Sequence, residues 1–256
     1  MGSAFKLLVL AELSREIRAG QRHWTDVVRL DRMSLPSGVL QTWPKGSPLT
    51  LHSLAALMIS QSDNTAADTL ASLIGRQRIE ALLPVLGVKR PELVRPLLLT
   101  REATLLKAGP DAAAAERWAA ANETQRRAML AALSQVPISK VNLDKLTAAP
   151  AAIDTVEWLL STSDLVRVMD WLRRNADPQA LAILAINPGV AQNLAKDFAF
   201  VGYKGGSETG VVNMTFLLRG KNGDWHALSG TWNNKAAAVD TTNFLVLMSR
   251  AVALLK

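Results

Sequence analysis

The sequence predicts an α+β fold in which helices flank an antiparallel sheet. Apolar residues recur at helical spacing through much of the chain before residue 197, whereas β-branched and aromatic runs separated by glycine-rich turns follow it. Helical spacing returns near the C-terminus. We therefore expect one domain over residues 1–256, with a mainly helical part at 20–196 and a three-strand meander plus C-terminal helix at 197–256.

The first predicted helix covers residues 3–19, because apolar residues from Phe5 to Ile17 repeat at helical spacing and Gly20 follows as a stop signal. Ser3 then lies at the start of an amphipathic helix. Residues 35–48 contain three prolines and two glycines and predict a loop. Trp43 lies in that loop, where it either faces a substrate or covers the core.

Further helices are predicted at residues 49–59 and 65–74, so Ser62-Asp63-Asn64 occupies the turn between them. Residues 101–135 are rich in Ala, Glu, Arg and Leu and predict helices of a helical subdomain. A capping-box pattern that begins at Ser161 marks one more helix.

The strands are predicted at residues 198–203, 211–219 and 225–232. Asn222-Gly223 is a strong signal for a hairpin between the last two. Helical periodicity over 242–255 places a final helix against the sheet.

Composition excludes several classes of site. The chain has no cysteine, which removes thiolate catalysis, thiolate zinc sites and disulfides. His23, His52 and His226 show no metal-ligand spacing, so neither a metal nor another cofactor is expected. The net charge of +7 comes from dispersed Lys and Arg, which argues against nucleic-acid binding. The apolar stretch 5–13 carries a glutamate and is too short to span a membrane.

Ser3 and Lys6 form a Ser-x-x-Lys pattern at the start of the first helix. Positions three apart share a helix face, so Lys6 can reach the Ser3 hydroxyl and, when neutral, accept its proton. The helix N-terminus offers free backbone N–H groups to a developing oxyanion. Taken alone, the same pattern also fits a capping serine and a surface lysine.

Ser62-Asp63-Asn64 supports two interpretations as well. These residue types are common where helices begin. In the functional interpretation, Ser62 relays a proton to the leaving group and Asn64 donates a hydrogen bond to a substrate amide.

A strand that ends in lysine and glycine could hold a substrate beside these groups. Lys204-Gly205-Gly206 is the best of three candidates, because its glycines allow a substrate to approach the backbone closely. Lys45-Gly46 lies in the proline-rich loop, and Lys221-Asn222-Gly223 is explained by a hairpin turn.

The ordered trio and its surroundings resemble the penicillin-recognising serine hydrolases, specifically class A β-lactamases. The likeness extends over segments 2–7, 54–66 and 204–210 and the following hairpin and helix. It implies the β-lactamase/transpeptidase-like fold. It also implies a serine hydrolase that forms an acyl-enzyme with a small-molecule β-lactam, ester or D-Ala-D-Ala-like substrate, in a periplasmic or secreted location.

The resemblance assigns a role to each matching position. It implies that Ser3 is the acylated nucleophile, Lys6 its base, Ser62 the proton shuttle, and Lys204 an electrostatic anchor. The other candidate substrate contacts are Asn64, Gly206, Ser207 and Thr209, together with Trp43, which is a candidate only because it is an aromatic on the proline-rich loop. The backbone N–H groups of Ser3 and Ser207 would form the oxyanion hole.

Four departures from the family pattern qualify this expectation. The usual Glu-x-x-Leu-Asn segment is absent; Glu157 is the nearest candidate for a deacylating base, and is otherwise expected on the surface of an amphipathic helix. Gly205 replaces a Thr or Ser hydroxyl, and Ser207 or Thr209 is the residue that we expect to compensate. Residues 101–150 look like an inserted helical stretch. The family's strands before the nucleophile are not apparent, so a separate N-terminal segment or partner chain is expected to complete the sheet.

Three functions therefore stay open. The first is a β-lactamase-like serine hydrolase with slow deacylation. The second is a carboxylesterase or D,D-peptidase-like enzyme, similar to the esterase-like relatives associated with clavulanic-acid biosynthesis. The third is a β-lactam-binding sensor that remains acylated.

Overall fold

The order of helices and strands agrees with the predicted α+β class. A computed structural model describes residues 1–256. A short 3-10 helix, Gly2–Phe5, leads directly into the first α-helix. The α-helices are α1 Lys6–Arg18, α2 Leu51–Ser60, α3 Asn64–Ile74, α4 Arg76–Leu82, α5 Thr100–Ala108, α6 Ala114–Ala120, α7 Glu123–Leu133, α8 Asp144–Ala148, α9 Thr162–Asn175, α10 Pro178–Leu184, α11 Gln192–Ala195 and α12 Thr241–Ala253.

Two short strands were not predicted. Strands β1, Val27–Arg29, and β2, Pro48–Thr50, pair antiparallel across the loop that contains Trp43. Strands of three residues are too short to show an alternating pattern, which explains why the sequence did not indicate them.

The main sheet is antiparallel with the order β3-β4-β5, as the meander predicted. Its strands are β3 Phe198–Glu208, β4 Val211–Gly220 and β5 Trp225–Asn233. β3 is longer than expected, because its glycines and polar residues continue the ladder beyond Tyr203. Lys204 therefore lies inside a strand and not at its end.

The core surrounds α1. Every residue of the stretch from Lys6 to Ser14 is buried, so this part of α1 has no exposed polar face, although the sequence predicted an amphipathic helix. A helix that is buried on every face lies in the interior, with other elements packed around it. A cluster of 46 buried residues includes the apolar side chains of α1, and a smaller cluster of nine joins the sheet to α12 through Phe216, Phe244 and Met248. None of the helices combines the length and hydropathy that a membrane span requires.

Candidate active site

A cleft of about 760 Å³ lies between β3 and the helical part of the chain. Eight of the residues that the sequence singled out line it, namely Ser3, Ser62, Asn64, Glu157, Lys204, Gly206, Ser207 and Thr209. They come from positions up to 206 residues apart in the chain. Lys6 is fully buried directly behind this surface.

Ser3 is positioned by a close approach of its helix to β3. Gly2 has a φ of +51°, and a Cβ there would lie 2.9 Å from the backbone nitrogen of Ser207. A Cβ at Gly206 would lie 2.6 Å from the backbone nitrogen of Ser3 and would overlap the carbonyl oxygen of Met1. Both glycines are therefore required by this contact, since any side chain would separate the two backbones.

The contact brings the backbones of Ser3 and Ser207 together at the cleft. The N–H of Ser3 belongs to the first turn of a helix, where backbone donors have no acceptor within the helix. This proximity favours the predicted oxyanion hole, because two N–H groups from neighbouring segments are the usual donors to a tetrahedral oxyanion.

Ser62 lies between the two lysines. Its hydroxyl is 3.0 Å from Lys204 Nζ and 3.2 Å from Lys6 Nζ, and both ammonium groups are placed to donate to it. Lys6 also donates to the Ser62 carbonyl oxygen at 2.6 Å, and Lys204 to the Gly205 carbonyl oxygen at 2.5 Å. Ser62 has a φ of +56°, which is rare for a residue other than glycine and is typical of strained functional positions.

The predicted hydrogen bond between Ser3 and Lys6 is not formed. Lys6 Nζ is turned to Ser62 and to Asn64 Oδ1, which it reaches at 2.7 Å. Ser3 and Lys6 do share a helix face, but the acceptors of the 62–64 turn attract the ammonium group more strongly than a hydroxyl would. Catalytic hydrogen bonds are often incomplete in a free site and form when a substrate binds.

Burial sets the charge of both lysines. It lowers the pKa of Lys6 to about 7, although the negative charges of Asp68 and Asp63 act in the opposite direction. The pKa of Lys204 is held well below its usual value by burial and by the nearby charge of Lys6. Near neutral pH the site can therefore hold a neutral lysine amine, which is the form that accepts a proton.

Asp63 and Asn64 organise the turn. Asp63 caps α3 by accepting from the Ala66 N–H at 2.8 Å, as helix-start statistics predicted. Its other oxygen accepts from the N–H groups of Val39 and Leu40 at 2.7 and 2.9 Å. Asn64 binds Lys6 through its oxygen and donates through Nδ2 to the Leu35 carbonyl at 3.1 Å. The turn is thus fastened to the loop that precedes it.

Glu157 is not the surface helical residue that we expected. It lies outside any helix, its side chain is 2% exposed, and it accepts a 2.7 Å hydrogen bond from the Gly2 N–H and another from the Met1 amino group. Burial favours the neutral acid, but the positive charges of the Met1 amino group and Lys107 outweigh it and hold the pKa of Glu157 below its usual value.

The segment that carries Glu157 packs directly on the 3-10 helix that carries Ser3. Trp158 stacks on Phe5 with ring centroids 3.9 Å apart, and its Nε1 donates to the Leu98 carbonyl at 2.9 Å. These contacts, which join positions far apart in the chain, explain why local periodicity gave the wrong environment for Glu157.

Lys107 and Glu208 form an ion pair at one end of the cleft. Lys107 Nζ lies 2.6 Å from both oxygens of Glu208 and 4.0 Å from Glu157. Burial and the charge of Glu157 raise the pKa of Glu208 to about 7. The sequence had not indicated either residue, because an isolated lysine and glutamate in a helix and a strand carry no pattern of their own.

Two predicted substrate contacts are not supported by placement. Trp43 does not line the cleft and is 43% exposed in the loop between β1 and β2, so it is a surface residue of that loop. Thr209 lines the cleft, but its hydroxyl donates to the Leu146 carbonyl at 2.8 Å and holds α8. Ser207 is exposed at the cleft, and its side chain makes no hydrogen bond.

No cluster of three or more potential metal ligands is present.

Tyr203 is a cleft residue that sequence analysis missed. Its place two residues before Gly205 on one strand was a usable signal, since such residues share a face of a sheet. It was overlooked because β3 was expected to end there.

The chain has a β-lactamase/transpeptidase-like fold, in which a helical part and an antiparallel sheet enclose a serine and two buried lysines. The comparisons with known proteins agree with this fold. The family model described as "Beta-lactamase enzyme family" matches residues 1–215. The chain therefore belongs to the β-lactamase enzyme family. A comparison with curated protein sequences gave no match.

Solved structures show the same fold at low identity. The β-lactamase of Sphaerobacter thermophilus is 22% identical with a TM-score of 0.62, over 99% of this chain and 81% of that one. A β-lactamase mutant of Vibrio parahaemolyticus is 13% identical with a TM-score of 0.64, over 99% and 83% of the two chains. A mutant of PBP-A, described as an acyl-enzyme complex with penicillin G, is 14% identical with a TM-score of 0.58, over 99% and 80%.

Proposed function

We propose that this protein is a serine hydrolase in which Ser3 is acylated by a β-lactam or a related ester or amide. The proposal rests on one observation: hydrogen bonds link Lys6 and Lys204 to Ser62, beside Ser3, in one cleft. Family membership supports the reaction class.

In the acylation step, Ser3 Oγ attacks the substrate carbonyl carbon and gives its proton to neutral Lys6. The carbonyl oxygen becomes an oxyanion that the N–H groups of Ser3 and Ser207 stabilise. When the tetrahedral intermediate collapses, the bond to the leaving nitrogen or oxygen breaks. Ser62 hands its hydroxyl proton to that leaving atom and is reprotonated by Lys6, so that no proton is lost or gained.

Release of the acyl group requires a water molecule and a base to activate it. Glu157 and Glu208 are the only carboxylates that line the cleft. Glu157 is held by the Gly2 N–H, and Glu208 is paired with Lys107. Because both carboxylates are already engaged, we propose that deacylation is slow.

Two alternatives follow from specific observations. Gly205 provides no hydroxyl, and no arginine lines the cleft, which favours an esterase that acts on neutral esters over an enzyme that recognises a substrate carboxylate, as a D,D-peptidase must. The engaged carboxylates favour a sensor that stays acylated. In each case we propose a periplasmic or secreted protein, in keeping with its family.

A substrate panel tests the proposal and separates the alternatives. Acylation and turnover are measured with penicillins, acetyl esters and acyl-D-Ala-D-Ala peptides for the wild type, Ser3→Ala and Lys6→Ala. We expect acylation by penicillins that both variants lose, followed by slow turnover. Faster turnover of esters or peptides would select the esterase or peptidase, and a permanent adduct would select the sensor. Activity that survives in Ser3→Ala would overturn the assignment.

A further inference from the structure

A second cavity, of about 460 Å³, lies between α3, α5 and the segment that follows β1. It shares no lining residue with the cleft that contains Ser3, although α3 and α5 border both. On α5, Thr100 lines the cleft and Arg101 lines the cavity, whereas on α3 the corresponding residues are Asn64 and Asp68. The cavity is therefore a separate site.

Three arginines line the cavity without an acidic partner. Arg29 ends β1, Arg32 lies in the segment that follows it, and Arg101 is in the first turn of α5. Arg29 and Arg101 donate only to backbone carbonyl oxygens, and the exposed Arg32 makes no hydrogen bond at all. Each guanidinium group has five N–H donors, so all three retain donors for a ligand.

Most of the carboxylates at the cavity are already engaged. Asp68 accepts a 2.6 Å hydrogen bond from Ser34 Oγ and two more from backbone N–H groups of α5, and burial raises its pKa. Glu102 is held by two hydrogen bonds from Arg76, at 2.6 and 3.0 Å. Asp31 is the one lining carboxylate that makes no ion pair or hydrogen bond. The three arginines therefore face a single unengaged acid.

Two of the arginines repel each other. Burial and then the charge of Arg32 lower the pKa of Arg101, and the effect of Arg32 is larger than the opposing effect of either Asp68 or Glu102. Arg101 Nε is also buried without a hydrogen-bond partner, and such donors in native structures are commonly met by a water molecule or an ion. An anion beside these groups would relieve the repulsion.

We propose that this cavity binds a small oxyanion with two or more negative charges, an organic phosphate or a polycarboxylate, through Arg29, Arg32 and Arg101. Guanidinium groups match the paired oxygens of both kinds of anion, and three of them against one free carboxylate favour a ligand of more than one charge. The volume admits a molecule larger than a single phosphate. The proposal does not depend on acylation of Ser3.

Calorimetric titration with two probes tests the site. Pyrophosphate represents the phosphates and citrate the polycarboxylates, and the tighter of the two identifies the kind of ligand. We expect one equivalent to bind at low ionic strength, and Arg32→Gln to weaken binding at least about tenfold, as loss of a hydrogen bond between charged groups implies. The matched control is Arg250→Gln on α12, which removes an exposed arginine that likewise makes no ion pair or hydrogen bond. It should change the affinity less than about twofold.

Two results would overturn the proposal. One is that neither probe binds to the wild-type protein. The other is that Arg32→Gln and Arg250→Gln weaken binding equally, because the anion would then respond to net charge or occupy another place, such as the lysines of the cleft.

Thermal unfolding gives a second readout. At a hundred times its dissociation constant, the tighter probe should raise the melting temperature by at least about 5 °C, and sodium chloride at matched ionic strength should not. Without ligand, Arg32→Gln should melt at the same temperature as the wild type or higher, because it removes the charge that opposes Arg101. A lower melting temperature of unliganded Arg32→Gln would contradict the repulsion on which the site is argued.

Discussion

At the scale of single residues, Ser62 is the centre of the site. Its hydroxyl contacts Lys6 and Lys204, and its left-handed backbone turns the carbonyl toward Lys6 as well. Two ammonium groups cannot both be fully charged at such short range without a large cost, because buried like charges oppose ionisation. The site is therefore arranged to release protons near neutral pH.

The pH dependence of acylation follows from Lys6. Its pKa is lowered to about 7, so the amine is protonated and inactive as a base below pH 7 and neutral above it. We expect the acylation rate to rise as the pH increases through about 7 and then to level off. Stopped-flow measurements of acylation between pH 5.5 and 9 check this, and a flat or falling profile would contradict the role of Lys6.

The sequence supplied the identities of these residues but not their contacts. The order of Ser3, Ser62 and Lys204 correctly indicated a shared cleft. The orientation of Lys6 toward Asn64, and the burial of Glu157 under Gly2, depend on segments 58 and 155 positions apart. Local patterns describe helix faces and caps, and they carry no information on such distant partners.

At the scale of elements, the contact between the 3-10 helix and β3 places Ser3 beside Ser207 at the cleft. Gly206 has no room for a side chain, because the backbones of Met1 and Ser3 lie against it. This contact was inaccessible to sequence analysis, which predicted β3 only as far as residue 203. Because of its glycines, the strand was expected to end at residue 203. The same glycines permit the close approach of the 3-10 helix to β3.

Gly206→Ala tests this contact. The added methyl must push the 3-10 helix away from β3 and separate Ser3 from Ser207, so we expect acylation to fall at least about a hundredfold, as displacement of catalytic groups by about 1 Å implies. The matched control is Gly20→Ala, which has open space around it but a φ of +68°. It should cost about 1 kcal/mol of stability and leave acylation unchanged.

Acylation rates and urea unfolding curves of the two variants separate the outcomes. Normal acylation by a folded Gly206→Ala protein would show that the helix and strand need not touch. A comparable loss in Gly20→Ala would show that general destabilisation explains the effect.

At the scale of the whole molecule, the α+β class and the three-strand meander could be predicted because their periodicity is long and regular. The central position of α1 could not, since it depends on how many other elements cover it. A helix with apolar residues on one face is compatible with a surface position. Only the packed structure shows that Lys6 and Glu12 on the remaining faces are also fully buried.

The engaged carboxylates of the cleft predict a burst of product release. A chromogenic cephalosporin should release about one equivalent of product per protein in the acylation phase and then a much slower steady state, because both cleft carboxylates are engaged. Rapid multiple turnover without a burst would contradict the assignment of slow deacylation. It would leave Ser3 as nucleophile and require another base.

The most direct test of the account is the mass of the protein after incubation with penicillin G, followed by peptide mapping. We predict an increase equal to one penicillin, located on the peptide that contains Ser3, and no increase in Ser3→Ala. An unmodified wild-type protein, or an adduct on another residue that persists in Ser3→Ala, would contradict the central claim.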